Sequence, residues 1–254
     1  MKKFKKLIPA LCMLLISAVL MGTSTYAWFS MNTTVTATGM KVTAKSESIY
    51  LLISNKAEST TAALIQAEND NKGFTSLTVT YTNASEYQLH PTALATNATK
   101  EGVKKTTIND YSAADSWYTA DAVDASAANA NTTTEKALTS LNGYVLKYTY
   151  KFTLAKGSNA AQDLKVTACT MTQDGDKTIT AARALVVCGA NVEEFNSTKT
   201  AGTVTLATEL TDKTFVTVDV YLYIDGNDTS IYTNNVANLN AASIALTFGV
   251  VPKP

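Results

Sequence analysis

Alternating side chains in residues 143–154 constrain the fold more than any other stretch of the chain. One face of an extended strand would carry Tyr144, Leu146, Tyr148, Tyr150, Phe152 and Leu154, and the other face Val145, Lys147, Thr149, Lys151 and Thr153. A period of two with one apolar face is typical of an antiparallel strand that has a core on one side and mostly water on the other. The stretch therefore predicts an antiparallel β-sheet.

Further stretches rich in Val, Thr and aromatic residues predict more strands, with turn signals such as Asp174-Gly175 between them. They cover residues 48–54, 74–81, 162–169, 178–188, 203–207, 215–224 and 243–250. Residues 55–72 are mixed and polar, and no alternation of helices and strands suggests a nucleotide-binding sheet. The pattern predicts an all-β, antiparallel sandwich in a single domain, residues 46–254.

Residues 92–142 form an insertion of different composition, dominated by Ala, Thr, Asn, Asp and Ser. Residues 113–130 fit either a weak helix, since Ala is the best helix former, or a long ordered loop. Trp117 and Tyr118 are its one large hydrophobic pair. We expect this pair to pin the insertion onto the sandwich, and the alternative is an exposed contact patch.

The first 27 residues have the composition of a secretory signal peptide. Lysines open the chain, residues 7–21 are apolar, and Thr25-Tyr26-Ala27 places small residues where a signal peptidase cuts. The apolar run of about 15 residues is shorter than the roughly 20 that a membrane-spanning helix needs, which disfavours an uncleaved anchor. We therefore expect export, with cleavage between Ala27 and Trp28.

Residues 28–45 predict one long strand at the new N-terminus. The apolar residues of this N-terminal segment recur at a spacing of two, with one shift at Gly39 that is typical of a β-bulge. The residues that define the pattern are Phe29, Val35, Ala37, Gly39, Met40, Val42 and Ala44. A strand freed at a chain end can pair with its own domain or with a neighbouring molecule.

The charge of the exported chain argues against nucleic acid and anionic lipid as partners. Without the four lysines of the signal, 17 basic and 21 acidic residues remain, a net charge of −4. Arg183 is the single arginine, and no basic patch remains in the exported chain.

Catalytic and metal-binding patterns are scarce. His90 is the single histidine, it has no motif around it, and no His-Glu-x-x-His pair exists, so we expect neither an enzyme nor a cofactor. The acidic turns 174–176 and 225–228 fit turn chemistry better than calcium, because neither has the glutamate of an EF-hand loop. Cys169 and Cys188 would form either a disulfide or two buried free thiols.

Both ends of the chain resemble a known family. Residues 22–29 and 39–42, together with residues 218–228 and 244–248, are similar to the TasA/camelysin-type secreted proteins of Gram-positive bacteria. The likeness covers roughly the first 50 and the last 40 residues and does not extend to the insertion.

This resemblance implies a jelly-roll subunit of extracellular biofilm matrix fibres, which is exported and cleaved by a dedicated signal peptidase. In such fibres the N-terminal strand of one subunit completes a sheet of the next, so the main partners would be copies of this chain, and accessory matrix proteins are left open. Carried over, residues 29–44 would be the donor strand, and the sheets that contain residues 215–224 and 243–250 would be candidate receivers. The alternative is a monomeric adhesin or surface-layer binding module, in which Trp117, Tyr118 and the insertion face a ligand.

Overall fold

The structure is a computed structural model that describes residues 49–68, 76–81, 89–121, 134–172, 180–228 and 243–253. Within these ranges there are eleven strands and one α-helix. They are β1 (Leu51–Ser54), α1 (Ala62–Glu68), β2 (Ser76–Tyr81), β3 (Ala93–Leu94), β4 (Trp117–Asp121), β5 (Thr134–Ala137), β6 (Val145–Leu154), β7 (Ala161–Thr172), β8 (Ala182–Cys188), β9 (Asn191–Phe195), β10 (Val216–Ile224) and β11 (Ser243–Pro252). No helix in this part of the chain is long and apolar enough to span a membrane.

The strands form three antiparallel sheets. The main sheet has the order β1-β6-β10-β8-β9, the second sheet β2-β11-β7, and the insertion sheet β3-β4-β5. The predicted all-β, antiparallel, sandwich-like fold is therefore confirmed. All described residues belong to one unit, Ser46–Pro254.

The principal core lies between the main and second sheets. Alternate residues of β10, namely Val218, Val220, Leu222 and Ile224, are buried in it together with Leu246 and Phe248 of β11. The ring of Phe248 lies 4.8 Å from that of Phe152 on β6, centroid to centroid. Fully burying side chains of this size contributes about 1.5–3 kcal/mol each, so this layer dominates the stability.

The outer face of the main sheet is also covered, which corrects the expectation that this face of β6 meets mostly water. Val145 on β6 is buried in a second cluster with Leu185, Tyr221 and Tyr223, and Trp117 of β4 packs onto them. Helix α1 packs against β1 and β6 elsewhere on the molecule. By contrast Tyr148, expected in the core, is 37% exposed.

The insertion contains strands where a helix or loop was expected. Residues 114–116 form a single 3-10 turn, and β4 begins at once with Trp117, so the weak helix considered for residues 113–130 is wrong for its described part. The reason is tertiary: burying Trp117 and pairing β4 with β3 and β5 outweigh the helix preference of alanine. Residues 122–133 lie outside the described ranges.

One local prediction differs from the structure at the rim of the sandwich. Residues 203–207 do not form a strand, because the Glu193 carboxylate of β9, not a neighbouring strand, accepts the N–H groups of Thr203 and Val204. One isolated bridge, between Ala207 and Leu164, is all that remains of the expected pairing. Helix α1 and strand β9 were not predicted.

Candidate functional site

The edge strands β1 and β2 lie next to each other on one side of the sandwich. Among the described strands, β1 pairs only with β6 and β2 pairs only with β11. Strand β1 is buried on both faces, with Leu51 in the principal core and Leu52 on the outer face. Two sheets therefore end side by side, each with a short edge strand.

A cleft of about 370 Å³ opens between these edges. We call it the edge cleft, and its lining consists of Ile53, Ser54, Asn55, Lys56, Glu68, Val79, Thr80 and Tyr150. Ile53 and Val79 are partly buried and pack against the principal core, and Tyr150 belongs to it. The cleft thus has an apolar floor continuous with the core and a polar wall formed by the end of β1 and by α1.

Three tyrosines line the region where the two sheets meet beside the edge cleft. The ring of Tyr81 on β2 lies 4.7 Å from Tyr148 and 6.4 Å from Tyr150, both on β6. Burial raises the pKa of Tyr81 and of Tyr150 above the ordinary value, so both phenols stay neutral. Tyr81 and Tyr150 are buried, whereas Tyr148 is 37% exposed and presents aromatic surface there.

The polar wall centres on Glu68, the last residue of α1. The hydroxyl of Ser54 on β1 donates a hydrogen bond of 2.6 Å to its carboxylate, and the hydroxyl of Ser59 donates another. These bonds lower the pKa of Glu68 below its ordinary value, since they favour the charged form. The Gln66 side chain fixes α1 by donating to the carbonyl oxygens of Leu154 and Asp212, at 2.8 and 2.7 Å.

The other edges of the two sheets are occupied differently. Along β7, the loop 200–210 makes backbone hydrogen bonds from Gly202 to Val166 and from Leu206 to Leu164, at 2.9 and 2.7 Å. Beside β9, the Glu193 side chain binds the same loop. Covering edges in this way is a usual protection of β-proteins against unwanted pairing.

The structure shows which strands form the edges of the two sheets that were expected as candidate receivers. Strand β10 lies between β6 and β8, and β11 lies between β2 and β7, so neither has a free edge. Their sheets can receive a further strand only at edges formed by other strands. The predicted cleavage site, Ala27 and Trp28, and the predicted donor residues between Phe29 and Ala44 lie outside the described residues.

The aromatic pair of the insertion is buried. Trp117 is fully buried and its ring meets Tyr223 at 4.9 Å, while Tyr118 is 3% exposed and donates a hydrogen bond to the side chain of Asn227. The expectation that they pin the insertion onto the sandwich is confirmed, and the alternative interpretation of the pair as an exposed contact patch is wrong.

The acidic turn at residues 225–228 is bound to Arg183 on β8. The guanidinium lies 3.0 Å from Asp225 and 3.2 Å from Asp228, and it also reaches Glu194 on β9. A positive side chain thus stands where a calcium ion would have to bind. The other acidic turn, residues 174–176, lies outside the described residues.

The remaining candidate residues for catalysis or metal binding, His90, Cys169 and Cys188, do not form a common site. His90 is exposed and its ring contacts Tyr144, 5.3 Å away. Cys169 and Cys188 are free and buried, on β7 and β8 of different sheets, so the alternative of two buried thiols holds and the disulfide is absent. Burial raises the pKa of the Cys169 thiol to about 11, which makes it a poor nucleophile. In the described ranges no group of three or more His, Cys, Asp or Glu residues is arranged to hold a metal ion.

Comparison of the chain with protein-family models, with curated proteins and with solved structures gave no match.

Proposed function

We propose that this protein is a secreted structural subunit that assembles into extracellular matrix fibres, in which the N-terminal segment of one copy adds as a strand to the edge cleft of the next. The observation that carries the proposal is the cleft itself: two edge strands flank an apolar floor that is continuous with the core. Strand addition at such an edge is an established mode of protein recognition.

The N-terminal segment has the properties that this cleft requires of an occupant. Its alternation presents an apolar face with Val35, Met40 and Val42, and its Thr and Val residues favour extended backbone. Burying those three side chains contributes about 1.5–3 kcal/mol each. Ladder hydrogen bonds add about 0.5–1.5 kcal/mol each. The sum is on the order of 10 kcal/mol, comparable to the stability of a whole domain.

The resemblance of both chain ends to TasA/camelysin-type proteins supports exchange between copies over return of the segment to its own cleft. Ala44 precedes β1 by only seven positions, so the connection, about 23 Å when fully extended, permits either arrangement. The alternative role as an adhesin through the insertion has lost its aromatic contact surface, since Trp117 and Tyr118 are buried.

The test compares residues 28–254 with the same chain lacking residues 28–44, by size-exclusion chromatography and negative-stain electron microscopy. We expect fibres from the longer chain and monomers from the shorter one. A synthetic peptide of residues 28–45 should bind the shorter chain and should block fibre growth of the longer one. Equal assembly of both chains, or a permanent monomer at every concentration, would overturn the proposal.

A further inference from the structure

We infer that Glu68 is the polar docking point of the edge cleft and that its carboxylate binds a lysine ammonium, Lys41 or Lys45, of the segment entering from a second copy. This inference rests on the proposed function and adds the contact that sets the register of the added strand.

The position of Glu68 follows from the two faces of β1. Leu51 pairs with Leu154 and Ile53 with Phe152 on the side of the principal core, whereas Leu52 and Ser54 alternate to the outer face. Glu68 accepts its hydrogen bond from Ser54. The carboxylate is therefore located at the outer-face side of the β1 edge, and it is exposed.

The alternation of the N-terminal segment places its lysines on that same side. After Gly39, the apolar positions are Met40, Val42 and Ala44, and the intervening positions include Lys41 and Lys45. Successive side chains of a strand point to opposite faces. When the apolar positions face the cleft floor, the two lysines face the side on which Glu68 lies.

The charges are complementary as well. Residues 28–45 contain two lysines and no carboxylate. Ion pairs join several described residues, and none of those pairs includes Glu68. The nearby cations are Lys56 and Lys151, and the Lys151 ammonium donates to the carbonyl oxygens of Lys56 and Ala57, at 3.1 and 3.0 Å. The Glu68 carboxylate is thus held in place by hydroxyl groups and keeps its charge for a partner.

A charge swap in the chain from Trp28 onward tests this contact. Glu68→Lys and the double change Lys41→Glu/Lys45→Glu should each slow fibre growth about tenfold at low salt, since each replaces attraction by repulsion. All three changes in one chain should return the rate to within about twofold of the original, because opposite charges again meet across the cleft. Growth is followed by light scattering, and thermal melting reports folding of each variant.

Glu58→Lys is the matched control. Glu58 is exposed on the loop between β1 and α1, and this substitution changes the charge by the same amount as Glu68→Lys. It should leave growth unchanged. If the chain lacking residues 28–44 does not assemble but the charge reversals leave growth unaltered, or the combined variant stays slow, the Glu68 contact is wrong and the proposed function stands. If that shortened chain assembles as well as the full one, both are wrong.

Discussion

The ring of Tyr81, on the edge strand β2, lies 4.7 Å from the ring of Tyr148, on β6 of the opposite sheet. This pair joins the two sheets beside the edge cleft, and Tyr148 remains 37% exposed although Tyr150 and Phe152 on the same face are buried. An exposed aromatic ring at the border of a cleft with an apolar floor is favourable for the binding of a further strand.

Replacing Val79 by Lys should block assembly without unfolding the chain. Val79 lines the edge cleft and is half-buried, so the long side chain can reach water in the free subunit but would bury a charge under an added strand. We expect at least a tenfold loss of fibre growth by light scattering. The neighbouring Thr78→Lys, exposed on the opposite face, is the control and should assemble normally. Equal loss in both variants would contradict a role of the cleft.

Replacing Trp117 by Ala should destabilise the protein by about 3–5 kcal/mol, the usual cost of removing a fully buried large aromatic side chain. The indole N–H donates to the carbonyl oxygen of Tyr111, and the ring packs on Tyr221 and Tyr223, so the insertion loses its anchor. Urea unfolding measures the change. The exposed Tyr50→Ala is the control, with an expected change below about 1 kcal/mol. A similarly small effect of Trp117→Ala would contradict the anchoring role.

Replacing Gly202 by Ala should lower stability by about 1–3 kcal/mol, because there is no room for a side chain at this position. An added Cβ would lie 2.5 Å from the carbonyl oxygen of Val166 and 2.7 Å from the Glu193 carboxylate. The loop would have to move away from β7 and lose its backbone bonds. Ala201→Ser, on the adjacent exposed residue, should be nearly neutral in thermal melting. An unchanged melting temperature for Gly202→Ala would show that this close approach is not needed.

Acid should weaken the anchor formed by Glu193. Burial alone would raise the pKa of Glu193, but the N–H groups of Thr203 and Val204 and the Lys199 ammonium lower it below its ordinary value of 4.5. A carboxylate with a depressed folded-state pKa stabilises the fold above its unfolded-state pKa, and that contribution is lost as the pH falls through the folded-state value.

Glu193→Gln should therefore cost about 1–2 kcal/mol at pH 7 and progressively less as the pH falls below about 4.5, by urea unfolding at each pH. The exposed Glu209→Gln, whose carboxylate pairs with the exposed Lys253 ammonium, serves as the control. A penalty for Glu193→Gln that does not change with pH would mean that the charge of this group is not what holds the loop.

The long strands were predictable because their alternation is strong and local. Residues 143–154 and 215–224 have a clear period of two, and β6 and β10 occupy nearly the same ranges. The layer that covers the outer face of the main sheet was only partly predictable from the sequence. Val145 and Tyr221 sit at positions where a solvated face would be polar, and this apolar character is the signal for the cover that Trp117 provides.

The edge cleft was not predictable from local patterns. It depends on β1 and β2 ending two different sheets side by side, which is a property of the strand order. The position of Glu68 was not predictable either, because it depends on helix α1. This seven-residue helix is stabilised by burial of Ile65 and by the hydrogen bonds of Gln66 to distant carbonyl groups. Arg183, by contrast, could be singled out as the lone arginine, but its carboxylate partners come from two distant segments, β9 and the turn 225–228.

Disulfide trapping between two separately prepared variants tests whether the N-terminal segment of one copy enters the edge cleft of another. A chain that starts at Trp28 and carries Val79→Cys is mixed, during assembly, with chains that carry a single new cysteine at residue 35, 40 or 42. Cys169 and Cys188, the native cysteines that these chains retain, are buried. We expect a cross-linked dimer for at least one mixture, because the N-terminal segment of one copy would then lie in the edge cleft of another. No dimer in any mixture, together with an internal cross-link when both new cysteines are in the same chain, would contradict this arrangement.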